Sequence, residues 1–301
     1  MPLMHEALTA AVVRGGGRVT EPAEAEALIL ADPRAAGDFP SLIGSAPNVR
    51  WVQLPYAGVE TFTQHLDTSH VWTCGKGVYA RPVAEHVVAC ALAGFRNLHA
   101  YARATSWTAQ KGRNLLGASV TILGAGGITD ELVALLEPFG CNITVVRRKP
   151  EPHPGAHRTV ATADLDEILP DTDLLVVAWA LTDRTSGRIN RSTFEALPEH
   201  AWIVNVGRGA HIVTDDLVDA LERGNIAGAA IDVTDPEPLP DGHPLWHLDN
   251  CLITPHVGNT LDMGRPLLAA RVEQNVRLFC EPHAPDDLSH LIGLVDVAAG
   301  Y

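Results

Sequence analysis

Cationic residues are scarce in this chain: 22 Lys and Arg stand against 36 Asp and Glu among 301 residues, a formal charge of −14. Such a surplus of negative charge repels phosphate backbones and anionic lipid, so neither nucleic acid nor a membrane is expected as partner. A local basic site can still sit inside the acidic whole. No apolar run reaches the ~18 residues of a membrane span. The N-terminus lacks a basic stretch ahead of an apolar segment, so a cytoplasmic, non-exported protein is expected. Cysteine is sparse and unpaired in pattern. Cys74, Cys90, Cys141, Cys251 and Cys280 are odd in number and form no C-x-x-C pair. Five reduced thiols, mostly in the core, follow from that. The histidines include no H-E-x-x-H and no tight cluster, so no metal is expected. No solenoid repeat and no low-complexity tract interrupts the chain.

What is present is 46% apolar residues in a length sufficient for two domains. Apolar runs alternate with helical patterns. Strands are expected at 27–30, 49–54, 71–73, 119–123, 143–146, 174–178, 202–206, 228–231 and 251–253. Helices are expected at 79–103, 130–137, 215–223 and 263–279. Pro82 falls in the first turn of one of these helices, where a missing N–H costs little. Loops rich in Pro, Gly and Asp cover 150–156 and 235–243. Nearly continuous apolar strands separated by helices read as parallel sheets covered on both faces. The fold class is therefore α/β, in two blocks that join near 96–117.

One strand-to-helix junction carries chemistry. SVTILGAGGITDEL, residues 119–132, resembles the G-x-G-x-x-G turn that binds dinucleotides. The first glycine of that turn allows a tight bend, the second lets the backbone approach a pyrophosphate, and the third packs helix on strand. Gly124 and Gly126 supply the first two functions and Gly127 adds room. The third position is Thr129, whose β-branched side chain is expected to push the helix slightly from the strand. Asp130 and Glu131 suit the helix dipole but bring negative charge toward a pyrophosphate. An ordinary turn with no ligand remains an alternative on this evidence alone.

The following strand ends Val145-Val146-Arg147-Arg148-Lys149. An acid about 20 residues past the glycines holds the ribose 2′-OH of NAD, whereas an arginine there meets the 2′-phosphate of NADP. Arg147 lies 23 residues after Gly124. Arg147 and Arg148 therefore point to NADP(H) as the preferred cofactor, with NAD(H) still possible. A solvated basic strand end is the plainer reading.

Several ordered motifs resemble the D-isomer-specific 2-hydroxyacid dehydrogenases, most closely the glyoxylate/hydroxypyruvate reductase branch. They are VRWVQLPYAGVE, VAEHVVACALAGFRN, VTILGAGGI, LTDRTSGRIN, WIVNVGRGAHIV, GAAIDVTDPEPLP with HPLW close behind, TPHVG and the terminal LVDVAAGY. The resemblance runs from about residue 49 to Tyr301. It implies two Rossmann-like domains with parallel sheets and the active site in the cleft. The substrate domain is discontinuous: residues 1–96 and 263–301 flank a dinucleotide-binding domain at 97–262. It also implies a homodimer through the cofactor domain, with residues 97–103 near the interface.

The same resemblance assigns roles. Arg208 binds the carboxylate and carbonyl of the substrate, His256 is the acid/base, and Glu237 pairs with it. The backbone of Ala57 and Gly58 holds the substrate carboxylate. Asp232 contacts the nicotinamide carboxamide, and Ile128, Thr182, Val206, Gly207 and Gly258 line the cofactor. The chemistry fits these residue types. A 2-oxo acid needs a planar guanidinium for its carboxylate and a proton donor at its carbonyl oxygen, and a carboxylate beside a histidine orients it for that task. Singly, each residue has a bland explanation: Arg208 a strand-end cap, Glu237 an acidic loop residue, His256 a turn histidine. Their spacings of 29 and 19 residues, each past an expected strand, carry the assignment.

The resemblance also implies a small 2-oxo acid as partner and substrate, reduced with NADP(H). Two departures beside Thr129 matter. Ala180 stands where the family often has proline, and MPLMHEALTAAVVRGGGRV opens almost directly on a helix. The family's first strand is then either missing or reduced to residues 2–4. A dinucleotide-binding scaffold or corepressor on the same fold is the alternative function, and phosphoglycerate oxidation a weaker third.

Overall fold

Every apolar run named above becomes a parallel strand. In chain order the computed structural model, which describes residues 2–281 and 287–298, runs α1 (Pro2–Arg14), β1 (Ala27–Ile29), α2 (Phe39–Gly44), β2 (Trp51–Gln53) and β3 (Val71–Thr73). It continues through α3 (Ala80–Phe95), α4 (Leu98–Tyr101), β4 (Ser119–Leu123), α5 (Gly127–Leu136), β5 (Asn142–Arg147), β6 (Arg158–Ala161), α6 (Leu165–Ile168) and β7 (Leu174–Val177). It ends α7 (Arg191–Ala196), β8 (Trp202–Asn205), α8 (Thr214–Arg223), β9 (Gly228–Ile231), β10 (Cys251–Ile253) and α9 (Leu261–Cys280). The chain divides into two units, Met1–Tyr79 with Thr260–Tyr301, and Ala80–Asn259. The α/β class with parallel sheets is thus observed. Residues 299–301 of the terminal motif lie outside the described residues.

In the first unit β2 is the middle of a three-stranded sheet, flanked by β1 and β3, all parallel. The C-terminal helix returns to this unit through buried polar bonds. Asn275 of α9 donates to Gln53 Oε1 at 3.1 Å, and Thr73 donates to the same oxygen at 2.8 Å. Trp51 Nε1 donates to Thr73 Oγ1 at 2.7 Å. A buried amide left without these partners costs more than the bonds are worth, so the network fixes the seat of α9. Met4, Leu8 and Ala11 of α1 pack with Leu268, Val272 and Val276 of α9. Residues 2–4, one candidate for a strand remnant, are the first turn of α1.

The second unit holds a seven-stranded parallel sheet in the order β10-β9-β8-β7-β4-β5-β6. The order reverses direction between β4 and β7, the crevice where open parallel sheets take ligands. Alternate residues feed two cores. Val120, Ile122, Val145 and Val176 face α3 and α5, while Leu123, Val146, Leu175 and Val177 face the opposite layer. Trp202 is held between two glycines: a Cβ on Gly94 or Gly228 would stand 2.4 Å from its ring. Residues 80–96, assigned above to the first domain, group with this unit because α3 packs on α5 and over β8 and β9.

The expected helix over 79–103 is broken at Asn97, whose left-handed φ of 53° separates α3 from the single turn α4. The edge strand β6, with α2, α6 and α7, was not expected. Their segments are four to six residues long, too short for a periodicity to register.

Candidate active site

Parallel register aligns the strand ends. Ile253, Ile231, Asn205, Val177, Leu123 and Val146 are successive neighbours across the sheet. Arg208, Glu237 and His256 follow three adjacent strands at this one end, in the second unit. Ala57 and Gly58 belong to the first unit, in the turn after β2.

His256 and Glu237 are brought together: Nδ1 of the ring lies 2.7 Å from Glu237 Oε1. Both side chains are about half exposed, 55% and 43%. His256 has a left-handed backbone, φ 52°, a conformation that a side chain with a Cβ adopts only when its surroundings hold it. Asp232, at the end of β9 and only 5% exposed, does the holding. Its backbone carbonyl accepts from His256 N at 2.8 Å. Its carboxylate accepts from Val257 N and Gly258 N, both at 2.9 Å, and from Thr254 Oγ1 at 2.6 Å. Burial pushes this carboxyl up, but the bonds from His86, Thr254, Val257 and Gly258 outweigh it and hold it down to about 2. Asp232 is thus an ionised anchor for the loop that carries His256, a role its sequence context did not reveal. A carboxylate offers about four lone-pair sites, so Oδ2, bonded to Gly258 N, has room for one more donor.

Arg208 sits beyond β8 in a tight loop. Asn205 Nδ2 donates to Arg208 O at 3.0 Å, and Gly207 N to Asn205 Oδ1 at 3.1 Å. The guanidinium donates to Gly207 O at 2.8 Å. Gly209 explains the second glycine of the motif: a Cβ there would stand 2.0 Å from the carbonyl of Thr234. Only glycine lets this loop approach the segment that leads to Glu237.

The glycine turn fits a dinucleotide. Gly124 has φ 124°, and a Cβ on it would meet Ala178 O at 2.7 Å. Gly126 is the N-cap of α5, and a Cβ there would meet nothing within 4 Å, which leaves open space beside the backbone. Helix α5 starts three residues earlier than expected, at Gly127; Thr129 N already bonds Gly126 O at 2.8 Å, so the N–H groups that a helix start leaves for a ligand are those of Gly127 and Ile128. Gly127 and Ile128 open that turn. Val206, Gly207 and Gly258 follow strand ends along the same row. Thr182 lies in the loop after β7, where Thr185 Oγ1 accepts from Thr182 N at 2.9 Å and donates to Ala180 O at 2.8 Å. Those bonds do for the loop what proline at 180 would do by stiffening.

Thr129 is a tie between the helix and the turn. It is fully buried, and its hydroxyl donates to Gly124 O at 3.0 Å, which ties the helix to the turn. Asp130 is engaged by buried His153, whose Nε2 is 2.9 Å from Oδ1, so its charge has a partner within the β5–β6 loop. Thr129→Gly should therefore destabilise the protein by about 2 kcal/mol, the sum of a helix glycine penalty near 1 and one hydrogen bond near 1. Chemical denaturation reads this; an unchanged or higher stability would mean that Thr129 strains the helix.

Arg147 ends β5. Its Nη1 reaches Glu151 O at 3.4 Å and its Nη2 lies 3.7 Å from Glu151 Oε2. Arg148 follows in the same loop. The acid that meets Arg147 is itself exposed.

Set against known proteins, the family described as D-isomer specific 2-hydroxyacid dehydrogenase, NAD binding domain, matches residues 86–258. A Corynebacterium melassecola protein named as an uncharacterized protein in the proB 3′ region is 38% identical over 97% of this chain and 96% of its own length. Glyoxylate/hydroxypyruvate reductase A of Yersinia enterocolitica is 31% identical over 72% of this chain and 68% of that protein. The crystal structure of a D-isomer specific 2-hydroxyacid dehydrogenase from Xanthobacter autotrophicus, in complex with NADPH and MES, superposes with a TM-score of 0.81. It is 26% identical and the match covers 99% of this chain and 95% of that one.

Proposed function

We propose that this chain, which belongs to the D-isomer-specific 2-hydroxyacid dehydrogenases, reduces a small 2-oxo acid such as glyoxylate or hydroxypyruvate with NADPH. The observation that carries this is the 2.7 Å contact of His256 Nδ1 with Glu237 Oε1. It commits Nδ1 to the carboxylate, so Nε2 is the nitrogen that gives its proton to the substrate's carbonyl oxygen. A bound reduced nicotinamide supplies the hydride to the carbonyl carbon; hydride and proton together make the 2-hydroxy acid. Arg208 binds the substrate carboxylate, a role that the family resemblance also gives to the Ala57–Gly58 backbone of the first unit. Gly124, Gly126 and Gly127 take the pyrophosphate, and Arg147 with Arg148 the 2′-phosphate. Asp232, with one lone pair to spare, accepts from the nicotinamide carboxamide.

An assay of NADPH and NADH consumption against a panel of 2-oxo acids tests the reading. Turnover with glyoxylate or hydroxypyruvate is the expected result. No turnover with either cofactor would overturn it in favour of a dinucleotide-binding scaffold. That alternative has less support, because a scaffold has no use for a histidine held at 2.7 Å by a carboxylate.

The setting proposed is cytoplasmic, in keeping with five free cysteines of which four are buried. Among the described residues no helix is long and apolar enough to cross a membrane. The assembly proposed is a homodimer through the second unit. Trp107 is 99% exposed, with Leu98 and Leu116 also exposed on the same segment, and apolar side chains in such number on one segment favour a covered face. Light scattering at micromolar concentration should give twice the chain mass; a monomer would contradict the assembly.

A further inference from the structure

The motif VAEHVVACALAGFRN holds a histidine that the proposed reaction does not use. His86, in the second turn of α3, is mostly buried, with 18% of its side chain exposed. Its Nε2 stands 3.1 Å from Thr254 Oγ1, 3.4 Å from Asp232 Oδ1 and 3.5 Å from Cys90 Sγ. Asp232 and Cys90 are the titratable groups in contact with it among the described residues. The Thr254 hydroxyl already donates to Asp232, so it can only accept from the ring. One path of hydrogen bonds therefore runs from His86 through Thr254 to Asp232, beside the ring's direct 3.4 Å approach to that carboxylate. The ring also lies beside Gly258, where a Cβ would be 3.7 Å from His86 Cδ2 and 3.0 Å from Asp232 Oδ2. The hydrogen bond to Asp232, then that to Cys90, raises this imidazole to about 10.

We infer that His86 is a positioning residue: through Thr254 and Asp232 it fixes the 254–258 loop and hence the placing of His256. Asp232 is the anchor of that loop, and a buried carboxylate stays fixed only while a cation or donors meet it. The amides of Val257 and Gly258 supply two donors from the loop itself. Thr254 supplies a third, also from the loop. Among the described residues His86 is the side chain from another element that meets this carboxylate, so it ties the loop to helix α3. Losing it frees Asp232 to turn, and the strained backbone at His256 loses what holds it. The kinetic part of this inference rests on the functional reading above; the structural part does not.

The test compares the full-length protein with His86→Leu, which keeps bulk and removes the donor, and His86→Gln, whose amide restores one. Amide hydrogen exchange at Val257 and Gly258 should accelerate by about tenfold or more in His86→Leu, the factor set by ~1.4 kcal/mol of local opening. Exchange in β4 should not change. Turnover with NADPH and a 2-oxo acid should fall about tenfold, with KM for the acid nearly constant, and His86→Gln should recover most of both effects. Unchanged exchange at Val257 and Gly258 in a folded His86→Leu protein overturns the inference. If that variant does not fold, Thr254→Val, which cuts the same relay, must give the same local acceleration, and its failure to do so is equally decisive. Because exchange needs no turnover, loss of the functional reading and loss of this inference are read separately.

Discussion

Replacing His256 by alanine lowers the turnover of 2-oxo acid reduction by about 10²-fold or more, the usual scale for a lost general acid, while NADPH binding persists. The two effects separate because His256 contacts Glu237 and the Asp232 backbone, and the glycine turn proposed to take the cofactor lies between β4 and α5, elsewhere in the second unit. The substitution also relieves the left-handed backbone at φ 52° no better than histidine does, so the loop keeps its anchor in Asp232. Glu237→Gln should cost less. Its amide still reaches Nδ1, but without the charge that makes a hydrogen bond to imidazolium roughly twice as strong. Steady-state rates with saturating NADPH, together with titration of NADPH into each variant, check both. Near-normal turnover in His256→Ala would remove this histidine from the chemistry, and lost NADPH binding would mean that the loop had collapsed instead.

How much of this was legible in the sequence differs by residue. The strands were, because a parallel strand covered on both faces is a short unbroken apolar run, as LLVV at 174–177 is. The pairing of His256 with Glu237 was legible only through ordered motifs, since nothing in two loops 19 residues apart fixes a distance. Thr129 was misjudged. Volume alone made it a wedge, and its hydroxyl bond to Gly124 O depends on the turn's backbone direction, which no local pattern states. Asp130 was read as a bare charge for the same reason, because its partner His153 arrives from 23 residues away. His86 carries no signal in the sequence beyond its place in a helix motif. Its partners Thr254 and Asp232 lie 168 and 146 residues further on. Which unit residues 80–96 join has no local signal, because a helix joins whichever sheet it covers, and α3 packs on α5, β8 and β9.

NADPH should bind at least about tenfold more tightly than NADH, a difference of about 1.4 kcal/mol, and Arg147→Asp should erase most of it. Arg147 is the last residue of β5, beside the strand that leads into the glycine turn, where the ribose of a dinucleotide comes to lie in this kind of fold. Its present partner is a weak competitor. Glu151 meets it at 3.4 Å through the backbone and 3.7 Å through the carboxylate, and the Glu151 side chain is 66% exposed. Exposed pairs of this length contribute about 0–1 kcal/mol. A 2′-phosphate offers charge-assisted bonds worth about 1.5–3 kcal/mol each, so it displaces Glu151 with energy to spare, and NADH cannot. Aspartate at 147 would reverse the sign: it repels the phosphate and accepts from the ribose 2′-OH, so NADH affinity should hold or rise while NADPH affinity falls. Glu151→Gln should move the parent the other way, widening its preference by removing the competitor. The measurement is the dissociation constant of both cofactors for the parent and the two variants, at one fixed ionic strength, because phosphate contacts weaken with salt. Equal affinity of the parent for NADH and NADPH would sink the argument for Arg147, and an Arg147→Asp variant that still prefers NADPH would transfer the role to Arg148.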